Sequence, residues 1–565
     1  MNSYKTKAEK RLHKRVKSRG IFLHISKINI QNYKCFEGKF SVNFNQGINI
    51  LVGDNEAGKS TILEAINLAL TGVLHGRYLK NELSQYLFNY SVVNAYLEGI
   101  KNKQNPSLPE IVIEVYFKVG ELPLFEGNGN SEKAKGCGVV FKIEFDQAYQ
   151  GEYESLVAVG DQITTIPIEY YKISWQSFAR DSVTARVIPI KSVLIDSTSS
   201  KYQNGSDIYI SRIIRDDLED SERVKLSQAY RRMKDTFVSD VSVQAINKKI
   251  SGKAQITDKD LSISVDLSTQ NSWETTLMTY LDNVPFHQIG KGEQCIIKTN
   301  LALGHKRSQE ANLVLLEEPE NHLSHTKLNQ LIKSVTDSCD GKQVIISTHS
   351  SYVANKLGLE NLILLNDQTI ARLSDLPLDT FTFFKKLPGY QTLRMLLCKK
   401  AVLVEGDSDE LVFQRAYMDA HKGRLPIEDG IDVISVKLTF KRFLEIAVRI
   451  NQSVAVITDN DGDYANTISK KYEEYVGNVC IKIFADNRDD LNTLEPQFVD
   501  ANKTDLKALC NVISINSNTY DTSEKISAYM VSNKTDWALK VFESDTALLY
   551  PKYIIDAVAW CDEEK

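Results

Sequence analysis

The sequence predicts an α/β protein made of two parts, each built on a parallel sheet, and three observations support this fold class. In the first half, the apolar run Ile48–Val52 leads into a glycine-rich loop and then into a helical pattern. Further along, the apolar run Leu313–Leu316 ends in two acidic residues. From Ala401 onward, strand-like and helix-like segments alternate, which is typical of a parallel sheet covered by helices.

The bulk composition fits a protein of several domains and limits the classes of function. The chain has 565 residues, of which 42% are hydrophobic and 25% charged, and its net charge of -5 excludes a polycation that wraps nucleic acid as a whole. The eight cysteines form no CxxC pair, which favours a reduced, cytoplasmic protein without a zinc cluster. No apolar run is long enough to span a membrane, so no membrane partner is expected.

Composition shifts divide the chain into segments. The N-terminal extension is basic and lacks the apolar core of a signal peptide, so it could bind phosphates or form a solvated terminal helix. The charged helix predicted at Arg215–Phe237 belongs to an inserted helical arm suited to dimerisation. The predicted boundaries are residues 1–21 for the extension, 22–375 for the first domain, about 200–280 for its inserted arm, 376–398 for a linker and 399–565 for the second domain.

The glycine loop of the first domain matches the phosphate-binding pattern G-x-x-x-x-G-K-[ST]. Its glycines let backbone N–H groups curl round phosphates, and Lys59 reaches the terminal phosphates. Ser60 offers a magnesium ligand at a helix N-terminus, whose dipole favours anions. Because the loop stands between a strand and a helix, the motif predicts ATP with one magnesium ion. The predicted nucleotide contacts here are Gly53, Asn55, Gly58, Lys59, Ser60 and Thr61.

Two later strand ends supply the acidic and polar groups that such a loop needs. Glu317 would hold a magnesium-bound water, although the more usual residue at this position is Asp, and Glu318 would orient the attacking water. The strand in "KQVIISTHSS" delivers His349 where it could touch a γ-phosphate. A single His after a strand is more often structural, but its position after the acidic pair favours a catalytic role.

A second glycine cluster, with Gly290, Lys291 and Gly292, precedes a long apolar helix and could cradle phosphate. With the opening "INIQNYKCFEG" and the "STHS" histidine, residues 22–370 resemble the ATPase heads of the ABC class, in particular the SMC and RecF branch. The resemblance implies that two chains sandwich ATP, so a homodimer or higher homo-oligomer is expected. Gln176 is the candidate for the sensor glutamine of that class, and a solvated surface glutamine is the alternative.

The second domain places carboxylates at the ends of two predicted strands. Glu405 closes the first strand and Asp409 falls in the first turn of the next helix, while Asp459 and Asp461 close the third strand. A calcium loop counted from Asp459 fails, because the required Gly and Glu positions hold other residues. Two magnesium or manganese ions that act on a phosphodiester are the remaining chemistry.

A Glu at one strand end and D-x-D at another resemble the TOPRIM domain. Joined to the ATPase head, the whole looks like the OLD (overcoming lysogenization defect) nuclease family. That family implies Thr493 and Glu495 as further metal ligands and Lys534 as a stabiliser of phosphorane charge. It also implies an ATP-regulated DNA endonuclease in anti-phage defence, with a helicase or a retron reverse transcriptase and its DNA as possible partners. Topoisomerase or primase chemistry and an ATP-driven clamp or scaffold with a vestigial second site are the alternatives.

Overall fold

The computed structural model describes residues 23–563 except for residues 55, 76, 105, 119–121, 160–162, 197–201, 204–205, 208–217, 252–261, 265–277, 305–309, 340, 367, 387–393 and 396–397. The basic extension, Asn55 and much of the predicted arm therefore lie outside the described residues. Strands and helices carry numbers in chain order. None of the helices in the described ranges combines the length and apolar composition that crossing a bilayer requires.

One layer of the first domain is an antiparallel sheet. Its strand β2 (Phe36–Asn43) alternates buried with more exposed side chains, as expected when one face packs on a core and the other meets water. The spatial order is β2 (Phe36–Asn43), β1 (His24–Tyr33), β6 (Ile111–Lys118), β8 (Gly136–Phe145) and β7 (Glu126–Gly127), with β9 (Tyr171–Ser177) also paired to β8.

The second layer is a mainly parallel sheet, here called the head sheet. Its four central strands are almost fully buried, which explains their largely apolar sequences, whereas the two edge strands are half-buried. The order is β10 (Ser192–Asp196), β15 (Leu313–Glu317), β16 (Gln343–Ser347), β3 (Ile48–Gly53), β17 (Leu362–Asn366) and β18 (Thr369–Arg372). The first five are parallel, so their carboxyl ends meet at one edge.

Helices and short hairpins complete the first domain. In the predicted arm the described residues form two charged helices, α4 and α5. The helices are α1 (Lys59–Thr71), α2 (Tyr90–Lys101), α3 (Gln150–Val159), α4 (Asp220–Ser239), α5 (Val241–Ser251), α6 (Lys291–Gly304), α7 (His325–Ser338), α8 (Ser351–Leu357) and α9 (Leu378–Lys386). The hairpins pair β4 (Val73–Leu74) with β5 (Arg77–Tyr78), β11 (Tyr202–Gln203) with β12 (Ser206–Asp207), and β13 (Tyr280–Leu281) with β14 (Val284–Pro285).

The second domain contains a four-stranded sheet, all parallel, which confirms the predicted alternation of strands and helices. Its order is β20 (Ile431–Ser435), β19 (Lys400–Val404), β21 (Ser453–Ile457) and β22 (Ile481–Phe484). Its helices are α10 (Asp407–Ala420), α11 (Phe440–Ile450), α12 (Leu494–Ala501), α13 (Leu506–Val512), α14 (Ser523–Ser532), α15 (Lys534–Glu543) and α16 (Lys552–Asp562).

A buried glutamine ties the two sheets of the first domain together. Gln343 is fully buried at the start of β16. Its Oε1 accepts the Ile25 N–H at 2.8 Å, and its Nε2 donates to the carbonyls of Ile25 and Asn45, each at 2.8 Å. The side chain thus satisfies backbone groups that strand pairing leaves free, as a buried amide must.

The two domains share one hydrophobic core. It runs from the head sheet through α9 to α11 of the second domain. Phe384 and Phe443, both buried, meet edge to face with their ring centroids 5.3 Å apart. Residues on both sides of the predicted linker are therefore packed against each other.

Candidate functional site

The glycine loop adopts the close-packed form that its sequence predicts. A Cβ on Gly53 would lie 2.3 Å from the Leu365 carbonyl oxygen, so only glycine fits beside β17. Gly58 has a φ of 87° and lies against the ring of Phe36, which again excludes a side chain. The loop then opens into α1 at Lys59, whose first turn places Ser60 and Thr61 at the helix N-terminus.

Lys59 is held inside this loop. Its Nζ donates to the carbonyl oxygens of Gly53 at 3.0 Å and Asp54 at 2.7 Å. Burial lowers its pKa, while the nearby charges of Glu318, Asp54 and Glu320 act in the opposite direction. The buried ammonium group is therefore held against the backbone of the loop, the segment that the motif predicts to bind phosphate.

Carboxylates gather at the carboxyl edge of the head sheet, beside Ser60. Burial raises the pKa of Glu317, the charges of Asp196 and Glu318 raise it further, and a hydrogen bond with Ser60 lowers it. Asp196 ends β10 and is the direct strand partner of Glu317 in β15. The sequence analysis missed Asp196, because one acid after a short strand forms no motif.

Glu318 and His349 are in contact, as expected if both serve the same phosphate. His349 Nε2 lies 3.2 Å from Glu318 Oε1. Glu318 has a left-handed backbone, with φ at 38°, a strained conformation of the kind that occurs at functional sites. Glu320, which the sequence analysis did not single out, accepts hydrogen bonds from the N–H groups of His349 and Ser350 and so orients the histidine loop.

The second glycine cluster lies next to this acidic loop. A Cβ on Gly292 would come within 2.4 Å of the His322 carbonyl oxygen, so the start of α6 packs directly on the residues that follow Glu318. Gly290 and Lys291 are exposed. An exposed helix start of this kind is accessible to a second molecule.

Gln176 is not brought to the phosphate loop. Its neighbour Trp175 donates its indole N–H to the Ala69 carbonyl at 3.0 Å and packs on Gly72, where α1 ends. Ala69 is about 15 Å along the helix from Lys59, at 1.5 Å per residue. The structure thus places the exposed Gln176 beside the far end of α1, and the prediction of a sensor role for it is not supported by this geometry.

The carboxylates of the second domain form a compact cluster at the ends of β19 and β21. Glu405 Oε1 accepts hydrogen bonds from the Thr458 hydroxyl and from the Asp459 N–H, the latter at 3.2 Å. Asp409, in the first turn of α10, accepts the Gly406 N–H at 3.0 Å. These three hydrogen bonds fix the two acidic side chains near the points where the strands end.

The cluster is electrostatically strained. Burial raises the pKa of Asp459 to about 9, and the charges of Asp409, Glu405, Glu495 and Asp461 contribute. Burial raises the pKa of Asp409 to about 7, with Glu405 and Glu495 as further causes. Like carboxylates held this close favour either a proton or a cation between them.

Helix α12 adds the remaining predicted residues. Thr493 is its N-cap residue, and Glu495 is buried in its first turn, with 2% exposure. Lys534 Nζ, at the start of α15, lies 4.0 Å from Glu495 Oε1 and remains largely exposed. Lys534 is therefore placed at the open side of the cluster.

A buried tyrosine, which the sequence analysis missed, supports this helix. Tyr553 of α16 donates its hydroxyl to Gln497 Oε1 at 2.7 Å. Gln497 in turn donates to the Leu491 carbonyl, at 2.8 Å, in the loop before the helix. Burial raises the pKa of Tyr553, with the Asp459 and Asp409 charges as further causes, so this phenol stays neutral beside the acids.

The donor set fits a hard divalent cation. Asp459 Oδ1 is buried and has no hydrogen-bond partner, which is costly unless a cation binds there. In the described part of the chain, however, no three acidic, histidine or cysteine side chains converge closely enough to ligate one ion. The neighbours Asp461 and Asp463 are exposed, and Asp461 has a turn conformation with φ at 51°.

Two domain families match the chain, and each coincides with one site. An AAA domain matches residues 27–340, more than half of the chain. An overcoming lysogenization defect protein-like TOPRIM domain matches residues 396–461, which include Glu405, Asp409, Asp459 and Asp461.

Individual relatives match shorter stretches. The DNA replication and repair protein RecF of Oceanobacillus iheyensis is 31% identical over 87 residues, which is 15% of this chain and 22% of the relative. RecF of Clostridioides difficile is 27% identical over 201 residues, which is 33% of this chain and 50% of the relative. The chain thus spans half or less of the length of these curated relatives.

Solved structures align at low similarity. The SMC head domain from Thermotoga maritima covers 61% of this chain and 96% of its own, with 12% identity and a TM-score of 0.28. The C-terminal region of the Burkholderia pseudomallei OLD protein covers 29% of this chain and 97% of its own, with 19% identity and a TM-score of 0.24. With its phosphate loop in the matched AAA domain and most of its carboxylate cluster in the matched TOPRIM segment, the chain belongs to the AAA domain family and also carries an overcoming lysogenization defect protein-like TOPRIM domain.

Proposed function

We propose that this protein is an ATP-regulated, metal-dependent DNA endonuclease that acts in bacterial defence against phage. The observation that carries the proposal is the buried, unpartnered Asp459 Oδ1 within a carboxylate cluster, on the same chain as a complete nucleotide loop. Buried carboxylates that repel one another suit a site that binds divalent metal.

In the second domain the metal site would be formed by carboxylates and one hydroxyl. Two Mg²⁺ or Mn²⁺ ions would supply an activated water and stabilise charge on the phosphodiester. Glu405 is fixed by Thr458 and the Asp459 N–H, and buried Glu495 by helix α12. Lys534 lies at the open side, where its charge would face a DNA phosphate. The proposed ligands are Glu405, Asp409, Asp459, Asp461, Thr493 and Glu495.

In the first domain the chain's own groups would position and polarise ATP. Lys59 would exchange its loop carbonyls for terminal phosphate oxygens, and Ser60 with Glu317 would hold one Mg²⁺. Glu318 and His349, 3.2 Å apart, would orient the attacking water and the γ-phosphate. The exposed helix start at Gly290, Lys291 and Gly292 would complete the site of a second copy, so we propose a homodimer or higher homo-oligomer.

Purified protein incubated with plasmid DNA and Mn²⁺ or Mg²⁺, with and without ATP, tests the proposal. We expect cleavage that Glu405→Gln reduces by at least about a hundredfold, because a ligand at the centre of the cluster is lost. Lys59→Ala should abolish ATP hydrolysis while leaving the carboxylate cluster intact. Loss of phage protection in cells carrying either variant would support the defence role. A wild-type protein that cuts no DNA under all these conditions would refute it.

A second candidate is an ATP-driven DNA-repair clamp with a vestigial second site. The similarity to the replication and repair protein RecF favours it. In that case Lys59→Ala would abolish function in cells, whereas Glu405→Gln and Asp459→Ala would not. A covalent protein–DNA adduct would instead indicate topoisomerase chemistry. A helicase or a retron reverse transcriptase with its DNA is the proposed partner class, and co-purification from a native host tests it.

A further inference from the structure

A polar bridge joins the nucleotide loop to the strand that carries Glu405. It begins at β17, which lies beside the loop strand β3 with Leu365 paired to Gly53. The contact is tight, since even a methyl group on Gly53 would lie 2.3 Å from the Leu365 carbonyl oxygen. A change in the backbone of the loop is therefore transmitted directly to Leu365 and to Asn366, the next residue.

Asn366 contacts the second domain. Its Nδ2 donates to the Ile450 carbonyl at 2.9 Å and to Gln452 Oε1 at 3.1 Å. Gln452 is 1% exposed, and its Nε2 donates to the carbonyls of Cys398 at 2.9 Å and Lys399 at 3.2 Å. The amide of Gln452 thus bonds to the first domain on one side and to the backbone just before β19 on the other.

Strand β19 continues from there to the metal site. It starts at Lys400, and Glu405 follows its last residue. The five steps from Lys400 to Glu405 span about 16 Å at about 3.3 Å per residue. All of β19 after its first residue is fully buried, so it moves as a rigid unit rather than bending.

The space beside the bridge allows β19 to move relative to the nucleotide loop. A cavity of about 650 Å³ lies between the two domains, and its walls include Asp54 of the nucleotide loop, Asn366, Cys398 and Lys399. The cavity leaves open space between this part of the loop and the start of β19, while Ala401 and Leu403 of β19 pack in the core that the two domains share. Dense packing at this position would have resisted any relative displacement.

We infer that Asn366 and Gln452 couple the two sites, with Gln452 relaying a displacement of Asn366 to the start of β19. Binding of nucleotide phosphate at the loop shifts Asn366, and Gln452 passes the shift to the backbone at Cys398 and Lys399. The displacement of β19 then changes the spacing between Glu405 and Asp459. This inference rests on the proposed nuclease activity and explains how ATP regulates it.

The test variant is Gln452→Met, which keeps the side chain's length and removes its hydrogen bonds. Arg442→Met is the matched control. Arg442 of α11 also joins the domains, through Asp379 and Thr380 at the start of α9 rather than through Asn366. Three quantities are measured for each protein: the affinity for a non-hydrolysable ATP analogue with Mg²⁺, DNA cleavage without nucleotide, and the ratio of cleavage with and without ATP.

We expect Gln452→Met to reduce the ATP response by at least about fivefold, the scale of ordinary coupling between sites. Analogue affinity and nucleotide-free cleavage should stay within about twofold of wild type, and Arg442→Met should keep the full response. An unchanged response in Gln452→Met, or equal loss in both variants, would overturn the inference. If Gln452→Met does not fold, Asn366→Ala tests the same bridge from its exposed side.

Hydrogen exchange provides a readout that needs no cleavage. Addition of the analogue to wild type should change exchange at residues 398–406, and Gln452→Met should lose that change while still binding the analogue. If the analogue changes hydrogen exchange at these residues but wild type cuts no DNA, the proposed nuclease activity is refuted and the coupling is retained. If wild type cuts DNA but the analogue leaves exchange at these residues unchanged, the coupling is refuted and the nuclease activity is retained.

Discussion

Metal binding to the carboxylate cluster should release protons, and the raised pKa values of Asp459 and Asp409 set the number expected. At pH 7 Asp459, with its pKa raised to about 9, is almost fully protonated, and Asp409, with its pKa raised to about 7, is half protonated. An ion that takes both as carboxylates therefore displaces about one proton from Asp459 and about half a proton from Asp409. The expected release is roughly 1.5 protons at pH 7.

Affinity for metal should increase with pH, because the pKa values of both acids are raised. Each acid has a higher pKa in the folded protein than in water, so protons compete with metal until the pH rises through about 7 and then about 9. Affinity for Mn²⁺ should therefore rise by about tenfold per pH unit for each proton released. Release should fall to about half a proton at pH 9, where only Asp459 is still partly protonated.

Calorimetric titration with Mn²⁺ in buffers of different ionisation enthalpy measures this release directly. Asp459→Asn should reduce the release at pH 7 by about one proton, since the amide carries no titrating group. Asp463→Asn, a change at a nearby exposed acid, is the control and should leave it unchanged. Binding at pH 7 without proton release, or with a release that does not vary between pH 6 and pH 9, would refute the electrostatic reasoning.

Three further predictions concern other parts of the molecule. Glu318→Gln should slow ATP hydrolysis by about a hundredfold or more while the affinity for the ATP analogue is kept, because the group that orients water is lost. Single-turnover hydrolysis measures this rate, and a rate near that of wild type would contradict the prediction. Lys534→Ala should weaken DNA binding and reduce its dependence on salt, because one cation beside the cluster is removed. Fluorescence anisotropy at several salt concentrations tests this, and Lys525→Ala, a change at another exposed lysine, is the control. Gln343→Leu should destabilise the first domain by about 2 to 5 kcal/mol, since the Ile25 and Asn45 backbone groups lose their hydrogen-bond partners. Urea unfolding measures this change. A decrease in the free energy of unfolding below about 1 kcal/mol would show that water replaces the amide.

Most of the fold could be predicted from the sequence because its signals are local. The loop before Lys59 has glycines at the fixed spacing of a phosphate-binding motif. After Ala401, apolar residues repeat with the periods typical of strands and helices in turn. The same holds for Glu405, which directly follows the buried strand β19, and for Asp459, which lies two residues after the buried strand β21. The bounds of β19 and β21 agree with those predictions to within one or two residues.

The residues that sequence reasoning missed act through long-range contacts. Asp196 becomes meaningful only when β10 pairs with β15, and Tyr553 only when α16 packs beneath the cluster. Gln452 lies 86 residues from Asn366 and has no motif around it. The role of Gln176 stays a prediction, because the position of β9 relative to α1 depends on tertiary packing rather than on local pattern.

The shared hydrophobic core decides how this protein can be divided for experiments. A chain cut at residue 398, where the sequence suggests a boundary, would separate Phe384 from Phe443 and leave both apolar faces in water. Each such ring contributes about 1.5 to 3 kcal/mol when buried, so either half would tend to aggregate. An isolated second domain should therefore keep residues from Leu378 onward, and activity lost by a shorter fragment would report on its folding rather than on its chemistry.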